Sequence, residues 1–138
     1  MKLVKLNPKA KEKMQEQKEQ VVNAIKEAFP VVPFFEDEIA EDEEKDFIKT
    51  KYHAFVIQMG DFTSGANVSY LSQDIVIDYY SENRDDVDET ILDAIAAVTK
   101  VRATNFVATT KLRARVKDTQ RYIDVVSIEF RRTVKYGC

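Results

Sequence analysis

The chain is short of the residues that most often carry chemistry. It holds one cysteine, Cys138, and one histidine, His53. A lone cysteine permits no disulfide within the chain, which excludes a disulfide-stapled secreted scaffold and predicts reducing surroundings. The same two counts leave no Cys and His cluster at metal-ligand spacing. A Ser/His/Asp or Cys/His nucleophile would have to be built on His53 or on a thiol at a frayed terminus. His53 reads more simply as a residue filling a strand position. The three glycines, Gly60, Gly65 and Gly137, fit neither G-x-G-x-x-G nor the Walker pattern, so no phosphate-cradling loop is expected. No apolar run approaches the ~20 residues of a bilayer crossing, and residues 1–13 lack the apolar middle of a signal peptide. These absences predict a soluble protein made in the cytoplasm, with no cofactor, no metal site and no membrane partner.

What is present is an ordinary folding composition: 138 residues, 44% hydrophobic and 33% charged, the size of a single domain over 1–138. The net charge of −3 hides a strong polarity along the chain. Residues 1–35 hold seven Lys and four Glu; residues 36–99 hold four basic and 17 acidic residues, net −13; residues 100–138 hold ten basic and three acidic residues, net +7. Segregation of this kind either neutralises itself inside the fold or presents unlike faces to neighbouring subunits. The densest acidic stretch, EDEIAEDEEKD over 36–46, contains Glu36, Asp37, Glu38, Glu41, Asp42, Glu43 and Glu44. Like charges in a run repel, so a mobile acidic loop is expected at about 36–50. It lacks the spaced D-x-D-x-D-G loop of a built calcium site. Among 24 acidic residues a pair suited to acid/base work can always be found, so Asp74 and Asp78 on one strand face carry little information.

Asn7-Pro8 reads as a helix start, with Asn capping free amides and Pro at the first helical position. Met14, Val21, Val22, Ile25, Ala28 and Phe29 recur at helical spacing toward Phe29, so only the second half of that helix must pack. Pro30 and Pro33 end it and lead into a short extended piece over 31–35. Residues 52–59 and 68–80 are apolar and β-branched stretches separated by the turn-rich DFTSGAN, which predicts a hairpin; Leu71, Ile75, Ile77 and Tyr79 share a face. Asp86 and Glu89 resemble a capping box for a helix to about Lys100, whose stripe is Val87, Ile91, Ala94, Ile95 and Val98. In KLRARVK, Leu112, Ala114 and Val116 point one way and Lys111, Arg113, Arg115 and Lys117 the other. After a turn over 118–120, Tyr122, Val126, Ile128 and Phe130 continue the apolar face. The fold class expected is α+β, a mainly antiparallel sheet of four to five strands with two helices packed on one face.

The basic strand invites a nucleic-acid reading, since charges at two-residue spacing can track a phosphate backbone. No aromatic lies between them to stack on bases, and a dedicated binder is usually basic, whereas this chain is acidic overall. A solvated face and a protein interface are the other readings.

The segment YLSQDIVIDYYSENRDDVDETILDAIAAVTKV, 70–101, together with AIKEAFPVVPFFEDE at 24–38, the apolar strand ending in Gln58, and the C-terminal hairpin over 112–132, resembles the tail-completion, or tail-terminator, proteins of long-tailed bacteriophages. The likeness spans nearly the whole chain in order of elements. It implies a structural virion protein, not an enzyme, made in the host cytoplasm. Its copies, monomeric in isolation, would form a ring, usually of six, at the head-proximal end of the tail tube. That ring would end tube polymerisation, join the head connector, and let DNA pass only through its lumen. Its partners would be itself, the tail tube protein and the connector or stopper protein. A ring needs heterologous interfaces, and the expected ones are the acidic residues Glu36 to Glu44 named above and the basic residues Lys111, Arg113, Arg115 and Lys117, on different sides of the subunit. The alternatives are a head-completion or stopper protein of the neck, and a nucleic-acid-binding accessory protein using the basic hairpin.

Overall fold

A computed structural model describes residues 7–116 and 118–137. Among them the elements run α1 (Pro8–Ala28), β1 (Phe34–Glu36), α2 (Glu41–Lys49), β2 (His53–Ser64), β3 (Tyr70–Ser81), α3 (Val87–Thr99), β4 (Thr104–Arg115) and β5 (Tyr122–Lys135). The class is α+β. One mixed sheet has the order β1-β2-β3-β5-β4, with β1 parallel to β2 and every other neighbour antiparallel.

The core follows strand parity. Phe55 and Ile57 of β2, Ile75, Ile77 and Tyr79 of β3, and Val126, Ile128 and Phe130 of β5 bury one face against α1 and α3. Val21, Val22 and Ile25 supply the α1 side, and Ile91, Ala94 and Val98 the α3 side, as their helical spacing predicts. The other face carries a smaller cluster of Phe47, Tyr52, Ala54, Val116, Ile123 and Val125 beneath α2.

Three local expectations are corrected. The acidic stretch expected as a mobile loop at 36–50 forms a helix over Glu41–Lys49. Its four acids in the first turn meet the positive end of the helix dipole, and Phe47 anchors it by stacking on Tyr52 at 5.3 Å between ring centroids. Arg121 completes it, donating to the otherwise free carbonyls of Phe47, Ile48 and Thr50 at the helix C-terminus at 3.0, 2.6 and 2.6 Å. Neither expected cap forms. Asn7 lies in the left-handed region at φ 50 and makes no side-chain cap bond, and the Asp86 carboxylate is held by Arg84 at 2.8 and 2.9 Å instead of by its own helix.

The first strand of each hairpin, β2 and β4, runs further than periodicity shows. β2 continues past Gly60 through a register shift between Met59 and Phe62, where a Cβ on Gly60 would stand 3.0 Å from the Asp74 carbonyl oxygen. β4 begins at Thr104, well before KLRARVK, and a second shift between Phe106 and Ala108 leaves Val107 out of register. The pairing then places Lys111 opposite Val126 and Arg113 opposite Asp124, while Leu112 meets Val125 and Ala114 meets Ile123. Leu112 and Ala114 therefore do not continue the apolar face of Val126, Ile128 and Phe130; the basic residues share that side. Both faces of β5 are apolar at this end, so alternation alone assigned the wrong one.

Candidate assembly surfaces

Among the described residues, each margin of the sheet has one strand with no outer neighbour. At one margin lies β4, exposed along most of its length, with an uncharged N-terminal half, TNFVATT, and a basic C-terminal half. Lys111 Nζ pairs with Asp88 Oδ1 of α3 at 2.6 Å, and Arg113 Nε with Asp124 Oδ1 of β5 at 2.9 Å. Arg115 Nε donates to the Thr119 carbonyl at 2.7 Å. Both ion pairs are solvent-exposed, and such pairs are weak enough to exchange partners. Lys117 lies outside the described residues.

At the other margin lies β1, whose last residue Glu36 sits 3.6 Å from Lys18 Nζ of α1. The acidic residues do not form a single patch. Asp37 turns the chain at φ 68, and Glu41, Asp42 and Glu43 project from the first turn of α2 with no ion pair among the described residues. Glu44 accepts from the Tyr52 hydroxyl at 3.2 Å; burial first, and the Glu44 charge second, raise the Tyr52 pKa. Asp37, Glu38 and Glu44 share a recess of about 580 Å³ with Arg115, between Ile39, Ile48 and Tyr80. Arg115 thus faces acids of its own copy, whereas Glu36 and Lys111 stand at opposite margins.

Two buried polar links escaped the sequence reading. Glu82 is almost fully buried and accepts from Arg121 Nε and Nη2 at 2.7 and 2.6 Å and from the Tyr52 amide at 3.1 Å. The Arg121 bonds hold its pKa below the ordinary glutamate range, against burial, which raises it. Arg132, 3% exposed, donates to Gln73 Oε1 and to the Met14 carbonyl of α1, both at 2.9 Å, and Gln73 Nε2 donates to the Gly60 carbonyl at the β2 irregularity. This link fastens the polar half of α1, and burial lowers the Arg132 pKa. A signal was available, because Gln73 and Arg132 share parity with Ile75 and Phe130 on the inward face.

His53 packs its ring edge against Tyr79 at 5.6 Å, and burial followed by the Arg84 charge lowers its pKa. Asp74 pairs with Arg131 at 3.1 Å, and Asp78 accepts from the Ser127 hydroxyl. These carboxylates are tied to the reverse face of the sheet, opposite α1 and α3. Cys138 lies outside the described residues. Among those described, no three His, Cys, Asp or Glu side chains converge as metal ligands, and no helix is long and apolar enough to cross a membrane. Set beside known proteins, the sequence matches no family model and no curated protein.

Proposed function

We propose that this chain is a structural assembly protein that joins copies of itself into a ring at the head-proximal end of a phage tail tube. There it ends tube growth and docks the head connector, with DNA passing through the lumen. One observation carries the reading: one sheet ends in two unlike margins, a three-residue strand β1 that ends at Glu36 beside Lys18, and a twelve-residue strand β4 that carries Lys111 and Arg113. Unlike margins on one subunit are what a heterologous, ring-closing interface requires. The nucleic-acid alternative is weakened because no aromatic lies among Lys111, Arg113, Arg115 and Lys117 to stack on bases and the chain is acidic overall.

The test is Lys111→Glu with Arg113→Glu in a phage complementation assay. The double variant is expected to fold by circular dichroism and to block joining of heads to tails, with overlong tails in the lysate. Normal virion yield overturns the proposal. DNA-leaking heads with tails of ordinary length place the chain in the neck as a stopper instead.

A further inference from the structure

We infer that copies of this chain join by continuing the sheet from one subunit into the next, with β4 of one copy pairing antiparallel to β1 of its neighbour. The inference rests on the self-assembly part of the proposed function and goes beyond it in naming the strands and their register.

Strand direction comes first. β1 runs with β2, and the successive antiparallel steps through β3 and β5 leave β4 running against β1. A rotation that repeats the subunit edge to edge, preserving strand direction, therefore brings β4 and β1 together antiparallel, the pairing with the more stable hydrogen-bond geometry.

The hydrogen-bonding groups come next. Phe55 donates to the Pro33 carbonyl and Asp37 donates to the Ile57 carbonyl, which turns the odd-numbered residues of β1 inward and the amides of Phe34 and Glu36 outward. On β4, the Val116 amide bonds to the Arg121 carbonyl, so by ladder alternation Ala114 and Leu112 bond to β5 while Thr109, Lys111 and Arg113 turn their backbone groups outward. Keeping the rows of the sheet level across the joint sets Glu36 opposite Thr109 and Phe34 opposite Lys111. In that register outward groups meet outward groups, and the Glu36 carbonyl, which already accepts from the Glu38 amide at 2.8 Å, would be shared with the Thr109 amide through its second lone pair.

Side chains agree with the backbone. Glu36 and Lys111 both project on the face that carries α1 and α3, and in this register they are diagonal neighbours, within reach of a long side chain. The Lys111 to Asp88 contact is exposed and exchangeable, and the Glu36 to Lys18 contact, at 3.6 Å and half-buried on the lysine side, is long enough to give way as well. The β4 edge is also a poor fit for solvent. Its first seven residues carry no charge, contain no Pro, and expose Phe106 and Val107, features that natural edge strands avoid unless paired.

The test is a disulfide between neighbours that leaves every charge in place. Pro33 and Leu112 fall opposite one another in the inferred register as a non-hydrogen-bonded pair, about 4.5 Å between Cα atoms, which suits a disulfide. In a Cys138→Ser background, P33C with L112C is expected to give, on oxidation at ~1 mM protein and low salt, a ladder of trimers and longer species on a non-reducing gel. Neither single variant is expected to give it. Adding Lys111→Glu should diminish the ladder, and adding Glu36→Lys to that variant should restore it. Oligomers in solution without the ladder overturn the inference and leave the ring to another surface. Dimers from L112C alone, meaning β4 paired with β4, overturn it as well. No oligomer and no cross-link also overturns it, while head-tail joining in the complementation assay judges the proposed function separately.

Discussion

Under α1 and α3 the sheet presents Phe55, Ile57, Ile75, Ile77, Tyr79, Val126, Ile128 and Phe130, all essentially without solvent contact. On the reverse face the middle rows are Asp74 with Arg131, Val76 with Glu129 and Asp78 with Ser127, and the apolar cluster lies at the end beneath α2. The first face is held by area removed from water, distributed over two helices and three strands. On the second, α2 is held by one aromatic of its own, Phe47, and by one arginine, Arg121, that ties α2, Glu82 and the β4–β5 turn region together. A helix so fastened is expected to open without unfolding the sheet.

The largest effect should come from the first face. Phe130→Ala is expected to cost about 3–5 kcal/mol in denaturant unfolding, from lost burial and the cavity left behind. Phe47→Ala should cost less, about 2 kcal/mol, because its neighbours are fewer and partly exposed. It should also release α2 selectively, read as faster amide exchange over 41–49 with β3 and β5 still protected. Equal global losses from the two variants would dissolve the distinction between the faces.

Glu82→Gln sharpens the comparison through pH. The Arg121 bond lowers the folded pKa of Glu82, so its stabilisation is complete above the ordinary glutamate range and is lost as pH falls through the lowered value. The variant is expected to lose about 2 kcal/mol at neutral pH and to show a flatter acid limb in thermal melts, with the loss centred on α2. An unchanged acid limb would remove Glu82 from that role. The smallest effect belongs to Asp74→Asn, less than about 1 kcal/mol and shrinking with added salt, since its pair with Arg131 is exposed. A loss there matching that of Phe130→Ala would mean the open face carries the fold.

Where one physical signal acted alone, residues could be read directly. The stripe of Val21, Val22 and Ile25, the alternation of Ile75, Ile77 and Tyr79, and the stop at Pro30 each predicted the element found. Where two signals competed, reading failed. Charge repulsion predicted a loop at 36–50, yet Ile39, Phe47 and Ile48 lay within it, and the burial available to Phe47 together with the carbonyl acceptors offered to Arg121 outweighed the repulsion. For the candidate surfaces, the sequence showed which residues carry charge but not their neighbours: Asp88 and Asp124 are 23 and 11 residues away from the basic groups they meet.

Element type, the main core and the division of charge along the chain follow from local chemistry, because helical and strand periodicities are properties of neighbouring residues. Strand order, the two register shifts, the side of the sheet on which Lys111 and Arg113 project, and the contrast between the short β1 margin and the long basic-ended β4 margin arise from pairing between distant segments. A shift of one residue at Val107 is enough to reverse every side chain after it, and no local pattern records where such a shift falls.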